Sequence, residues 1–173
     1  MLVSLQLSIT SSIEKSKMKN SSRENLVKRA IEVAKRSKNN GNLAYGCLLV
    51  DGQGKVIMEG ENSVITEHDC LGHAEVNMIR EASKQYDSEF LNQCSIYTSD
   101  EPCPMCSSAI FWSGIGTLVF GLSKSRFHHE FGNDIPAIDF NISSREVLKA
   151  GGRKVEIIGP MLEDEVLAIH RES

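Results

Sequence analysis

The chain is 173 residues long, 40% hydrophobic and 24% charged, which supplies apolar material for one sizeable core and requires no second domain. Its formal net charge of −4 and pI near 5.7 argue against nucleic acid as the partner, because phosphate binding depends on clustered lysine and arginine. Five cysteines without a secretory signal argue against an oxidising compartment and for the cytoplasm.

Residues 1–10 are mildly apolar but broken by Ser4, Gln6 and Ser8, too short to span a membrane and without the charged start of a signal peptide. Residues 1–20 are therefore expected to be a disordered extension, with Met18 an alternative initiation site, and residues 21–173 the single functional domain. Ser21 and Glu24 have capping-box spacing. Leu26, Ala30, Val33 and Ala34 then recur at helical spacing, so a helix is predicted from Ser21 to Asn39-Asn40-Gly41. The basic pairs Lys28-Arg29 and Lys35-Arg36 fall on its solvated face. Residues 44–50 and 55–59 read as a hairpin across Asp51-Gly52-Gln53-Gly54. Helices are predicted over 73–86, 104–113, 143–150 and 162–170, the third capped by Gly151-Gly152, and strands over 95–99, 117–121 and 154–158. Helices alternating with strands after a hairpin predict an α/β fold, a mixed sheet between helices.

Chemistry concentrates in two short runs, His73-Ala74-Glu75 and Glu101-Pro102-Cys103-Pro104-Met105-Cys106. Cys103 and Cys106 are three apart and so share one helix face, while Pro102 and Pro104 suit a first helical turn, whose partial positive charge favours thiolate. His73 and Glu75 are two apart and do not share a face. Both can address one point only if it lies over the end of a helix beginning near Leu71-Gly72, where first-turn side chains splay around the axis. Two helix N-termini are thus expected to converge on one Zn²⁺, with His73, Cys103 and Cys106 as ligands and the fourth tetrahedral position left open for water. Two thiolates cancel the ion's charge, so water is acidified less than at an all-histidine site, where its pKa falls to roughly 7, and a carboxylate is needed as base. Glu75 is free for that work, and its acid form can then protonate a ring nitrogen and a leaving amine. Other readings exist for the parts. C-x-x-C alone could be redox-active, and a structural zinc in a non-catalytic binding module would need a fourth protein ligand, with Cys70 and Cys94 as the candidates. Cys47, Cys70 and Cys94 otherwise read as free thiols packed in the core.

The pattern H-x-E…P-C-x-x-C is the signature of the zinc deaminases. Residues from about 24 to 119 resemble the cytidine-deaminase superfamily, in the P-C-x-x-C branch that holds guanine deaminases, fungal-type cytosine deaminases and tRNA adenosine deaminases. The resemblance implies a three-layer fold with a five-stranded mixed sheet between helices, one zinc per subunit, a nucleobase or nucleoside substrate, and a homodimer whose subunits complete each other's pockets. It carries the metal-ligand role to His73, Cys103 and Cys106, the proton shuttle to Glu75 and a base-holding asparagine to Asn62, whose amide offers a donor and an acceptor to a ring edge. Asn62-Ser63-Val64-Ile65-Thr66 and Tyr97-Thr98-Ser99-Asp100-Glu101-Pro102 look most like guanine deaminases, so guanine is the first expected substrate, ahead of cytosine or another small amino-azine, a nucleoside, and an adenosine in tRNA. The chain departs from that group at Leu43-Ala44-Tyr45-Gly46, where Gly-Pro-Phe-Gly is frequent, and at Phe131-Gly132-Asn133-Asp134, where a Phe-Asp-Asp run is frequent. Its ending from Gly151 to Ile158 looks more like cytosine deaminases. Ala74, Phe127, His128 and Asp134 complete the expected substrate-facing set. Phe127 and His128 belong with His129 and Phe131 to a cluster that would stack on a planar base or pack as an ordinary loop, and Asp134 would accept from a purine edge. Trp112 would be a pocket wall or part of a subunit interface.

Overall fold

The first 40 residues contain neither glycine nor proline. In the computed structural model, which describes residues 2–132 and 140–171 with side chains from residue 20 onward, one helix, α1 (Leu2–Asn39), runs through them and stops at Gly41, φ +87°. The helix start expected at Ser21 is thus replaced by one continuous helix from Leu2. Nothing before Ser21 interrupts backbone hydrogen bonding, so its capping-box spacing is not used as a cap.

The hairpin β1 (Gly46–Val50) and β2 (Val56–Glu61) turns as expected. Asp51 Oδ1 accepts from the N–H groups of Gln53 and Lys55, both at 2.9 Å, and Gly54 supplies φ +85°. After it come α2 (Ala74–Gln85), α3 (Ser88–Asn92), β3 (Ser95–Asp100), α4 (Pro104–Ser113), β4 (Thr117–Leu122) and α5 (Lys124–Phe131), then α6 (Ser144–Lys149), β5 (Glu156–Ile158) and α7 (Glu163–Arg171). Periodicity did not reveal α3 and α5, because five and eight residues are too few to repeat a pattern. Their N-caps are nonetheless regular: Asp87 accepts from Phe90 N–H and Ser123 from Arg126 N–H. Gly151-Gly152 is not a left-handed cap. Helix α6 ends at Ala150 in right-handed geometry, and Gly151 is required because a Cβ there would lie 2.2 Å from the Phe111 ring.

The sheet order is β2-β1-β3-β4-β5, with β1 antiparallel to both neighbours and β3, β4 and β5 parallel, which is the expected five-stranded mixed sheet. Successive β3 residues serve opposite layers. Ile96 joins Met78, Ile79 and Ile110 in a core beneath α2 and α4, and Tyr97 joins Val27, Val33 and Leu167 in a core beneath α1 and α7. Two glycines let helices lie directly on strands. A Cβ on Gly46 would be 2.4 Å from Ala34 N in α1, and one on Gly60 would be 2.5 Å from the Ala74 carbonyl at the start of α2. Among the described residues no helix is long and apolar enough to cross a membrane.

Candidate metal and catalytic site

The carboxyl ends of β3 and β4 and the loop after β2 meet at one rim of the sheet, the place where α/β sheets deliver helix N-termini to ligands. His73 is the N-cap of α2 and Cys103 the N-cap of α4, both with extended backbone, while Pro104 occupies the first turn of α4 and Cys106 lies on it. His73 Nδ1 is 3.7 Å from Cys103 Sγ and 3.5 Å from Cys106 Sγ, and the three ligand atoms lie within 4.8 Å of one another. Zn–N near 2.1 Å and Zn–S near 2.3 Å at tetrahedral angles require N···S of about 3.6 Å. The spacing therefore fits zinc as it stands, and the imidazole and two thiols are its preferred donor types.

Among the described residues the group stops at three ligands. Cys94 precedes β3 and Cys103 follows it, so a six-residue strand, roughly 20 Å, separates them. Cys70 is exposed, which corrects its expected place in the core, whereas Cys47 and Cys94 are buried as expected. A three-ligand set is the catalytic and not the structural arrangement.

Glu75, in the first turn of α2, is buried beside the cysteines. Burial pushes its carboxyl up to about 7, with the negative Cys103 adding to the rise, against the pull of its own backbone N–H and of His73. The Cys103 thiol is drawn down to about 4, chiefly by a hydrogen bond from Cys106, and the Cys106 thiol is raised in consequence. Hydrogen bonding to Cys103 raises His73. An ion held by two thiolates and a neutral imidazole displaces any protons those groups carry.

Asn62 follows β2 and is 2% exposed. Its loop is stitched to the one before His73: Ser63 N–H donates to Gly72 O at 2.8 Å, and Asn77 Nδ2 donates to Glu61 O, Ser63 Oγ and Gly72 O. Oδ1 accepts from Val64 N–H at 3.0 Å in an Asx turn, which fixes the orientation of the amide, and Nδ2 is buried without a protein partner. Ala74 turns its methyl into the first core, and what it can offer a substrate is its first-turn N–H. Phe127 and His128 lie on α5, not in a loop. The Phe127 ring packs 5.1 Å from Phe131 and 5.2 Å from His170 against the second core, and His128 is half-buried. Asp134 lies outside the described residues. Trp112 is 82% exposed and does not line a pocket of its own subunit.

Sequence reasoning missed the acidic pair ahead of the cysteines. Asp100 is buried, with Oδ1 2.8 Å from His170 Nε2 and Oδ2 accepting from Ser99 Oγ at 2.7 Å, and Glu101 accepts three hydrogen bonds from two helix starts. Two acids in succession at the end of a buried strand were the available signal.

Three soft ligands on two helix N-termini, with a buried acid held against them, place the chain among zinc hydrolases. Comparison with known proteins narrows the class: residues 20–122 match the family described as the cytidine and deoxycytidylate deaminase zinc-binding region, and the chain belongs to it. A probable cytosine deaminase of Schizosaccharomyces pombe is 36% identical over 145 residues, 84% of this chain and 88% of that one. A guanine deaminase of Bacillus subtilis is 43% identical over 91 residues, 52% of this chain and 58% of that one. Among solved structures, a guanine deaminase from Nitrosomonas europaea shares the fold with a TM-score of 0.71 at 23% identity, over 86% of this chain and 82% of that one. The chain is a zinc-binding deaminase, a hydrolase of C–N bonds.

Proposed function

We propose that the chain deaminates a free nucleobase, with guanine, giving xanthine and ammonia, as its substrate. The observation that carries the reading is Glu75 buried against a three-ligand zinc set, with the unpartnered Asn62 Nδ2 in a loop stitched to the one before His73. Zinc, which His73, Cys103 and Cys106 would hold, would supply Lewis acidity that activates water for attack together with the Glu75 base. Glu75 takes a proton from the attacking water and gives it to the ring nitrogen beside the amino-bearing carbon. It then moves the proton remaining on the added oxygen to the amine, which leaves as ammonia. Asn62 Nδ2 donates to an acceptor of the ring, its direction set by the Val64 bond on Oδ1. Phe127, His128 and Asp134 belong to the substrate side of this reading, Phe127 through the edge that its packing leaves.

Identity over the catalytic stretch, 43% to a guanine deaminase, supports guanine. Cytosine is the second reading, supported by similarity to the S. pombe protein across 84% of the chain and by the α6-β5-α7 ending. Nucleosides come third. Adenosine in tRNA comes last, because a net charge of −4 gives weak attraction to phosphate. The subunits pair as a homodimer through the α4 face that bears Trp112, which lies edge-on to Phe111 at 5.4 Å, and the protein works in the cytoplasm. An ammonia-release screen over free bases, nucleosides, triazines and pterins tests the substrate. Release from guanine is expected, release from cytosine alone would exchange the ring, and turnover confined to nucleosides or tRNA would reject the free-base reading.

A further inference from the structure

Glu101 is the last residue that pairs with the sheet before the metal loop: its N–H donates to Leu122 O at 2.7 Å, and Pro102, which has no N–H, then takes the chain out of the ladder. Two residues later comes Cys103. The Glu101 carboxylate, half-buried, reaches the other way. Oε2 accepts from Lys124 N–H, the first residue of α5, at 2.9 Å, and Oε1 accepts from Ser144 N–H at 2.9 Å and Ser144 Oγ at 2.7 Å, the first residue of α6. Both helices start behind serine N-caps, Ser123 and Ser143. One carboxylate therefore ties the starts of α5 and α6 to the residue that launches α4, with charge-assisted bonds in the orientation that helix dipoles favour. Glu163 reinforces the same corner from α7, its Oε1 accepting from Ser123 N–H at 3.1 Å and Ser123 Oγ at 2.5 Å.

The side chain's chemistry is specific to this geometry. Ser144 is fully buried and the donors come from two different helices, so only an acceptor at both oxygens satisfies them. Glutamine would turn an NH₂ toward one of the N–H groups, and aspartate is one carbon too short to span them. The metal half of the site needs this control, because ligand atoms must stand within a few tenths of an ångström of their bonding positions and Cys103 sits on a loop end and not within a helix. The substrate half shares it, since α5 carries Phe127 and His128.

We propose that Glu101 is a positioning residue that sets Cys103 and the substrate-side helix α5 in register through one carboxylate. This rests on the reading of His73, Cys103 and Cys106 as the zinc ligands. The test compares wild type, Glu101→Gln and Ser144→Ala by competition for zinc with a chromophoric chelator, visible absorption of the cobalt-substituted proteins, far-UV circular dichroism and, on the base found to be turned over, separate kcat and KM. Glu101→Gln should keep the helical spectrum, weaken zinc binding by about tenfold or more, alter the cobalt bands and raise KM. Ser144→Ala, which leaves the carboxylate and two of its three bonds, should shift zinc affinity in the same direction by a smaller factor. Should Glu101→Gln fail to fold, an unchanged zinc affinity in Ser144→Ala overturns the proposal. A folded Glu101→Gln protein with lower thermal stability but wild-type zinc affinity and cobalt bands overturns it too, leaving Glu101 a helix anchor only. Wild type that takes up no zinc would overturn the metal reading beneath it instead.

Discussion

In the proposed mechanism Glu75 carries two opposed demands, because proton transfer would need it against the thiolates and burial there disfavours its ionised form. Its carboxyl is raised in the fold, so the stability it contributes is fully present below the ordinary carboxylate range and is lost as pH rises through about 7. Between pH 5 and pH 8 the melting temperature of the chelator-stripped protein should therefore drop further for wild type than for Glu75→Gln, and parallel curves would show that burial does not govern the group. In the zinc-loaded protein the same substitution should keep one zinc per chain by metal analysis while turnover falls about 10²–10⁴-fold. Asn62 permits an equally clean separation. Aspartate keeps the oxygen that accepts from Val64 N–H but loses the Nδ2 donor, so Asn62→Asp should melt near wild type while kcat/KM falls about tenfold or more. A large fall in melting temperature with unchanged kinetics would make Asn62 a turn residue alone. Both residues could be picked from the sequence, Glu75 by its place in H-x-E and Asn62 by resemblance, but which amide atom stays free followed only from the Asx turn.

At the scale of elements, the site depends on how closely two helices lie on the sheet and on what holds their far ends. Gly60 admits the first turn of α2 against β2, so Gly60→Ala should cost about 1–3 kcal/mol in denaturant unfolding and, by moving His73 and Glu75 together, weaken zinc binding. Gly152→Ala, with nothing within 4 Å of the added carbon, is the control expected to match wild type on both counts. Helix α4 is held at the end away from its cysteines by Arg153, whose guanidinium donates to Ile110 O, Phe111 O and Ile115 O and lies 5.0 Å from the Phe111 ring. Lysine cannot reproduce that fork, so Arg153→Lys should destabilise by about 1–3 kcal/mol. Zinc stoichiometry should not change, since the substitution is a helix length from the ligands; loss of metal would mean that the two ends of α4 are coupled. The basic pairs on α1 serve structure in the way expected of a solvated face. Arg29 and Arg36 pair with Glu59 and Glu61 on β2, and Lys28 pairs with Glu165 on α7.

At the scale of the whole molecule, the three layers bury two cores and leave Trp112 almost wholly in solvent, an unusual position for the chain's one tryptophan. If that face pairs subunits, Trp112→Glu should shift wild-type dimers to monomers in sedimentation velocity with the circular dichroism unchanged; a wild-type monomer would remove the dimer reading. The amino-acid order by itself pointed to the cluster of His73, Cys103 and Cys106, the carboxyl buried beside it, the hairpin, the bounds of α4 and the alternation that makes an α/β sheet, because each is written in local spacing: i, i+3 cysteines, proline in a first turn, period-two and period-3.6 patterns. Tertiary structure alone decided the rest. Strand order, the short helices α3 and α5, the close approach at Gly60, the free Asn62 donor and the reach of Glu101 to α5 and α6 all depend on groups far apart in the chain meeting at one rim, and no local period encodes a distance across a sheet.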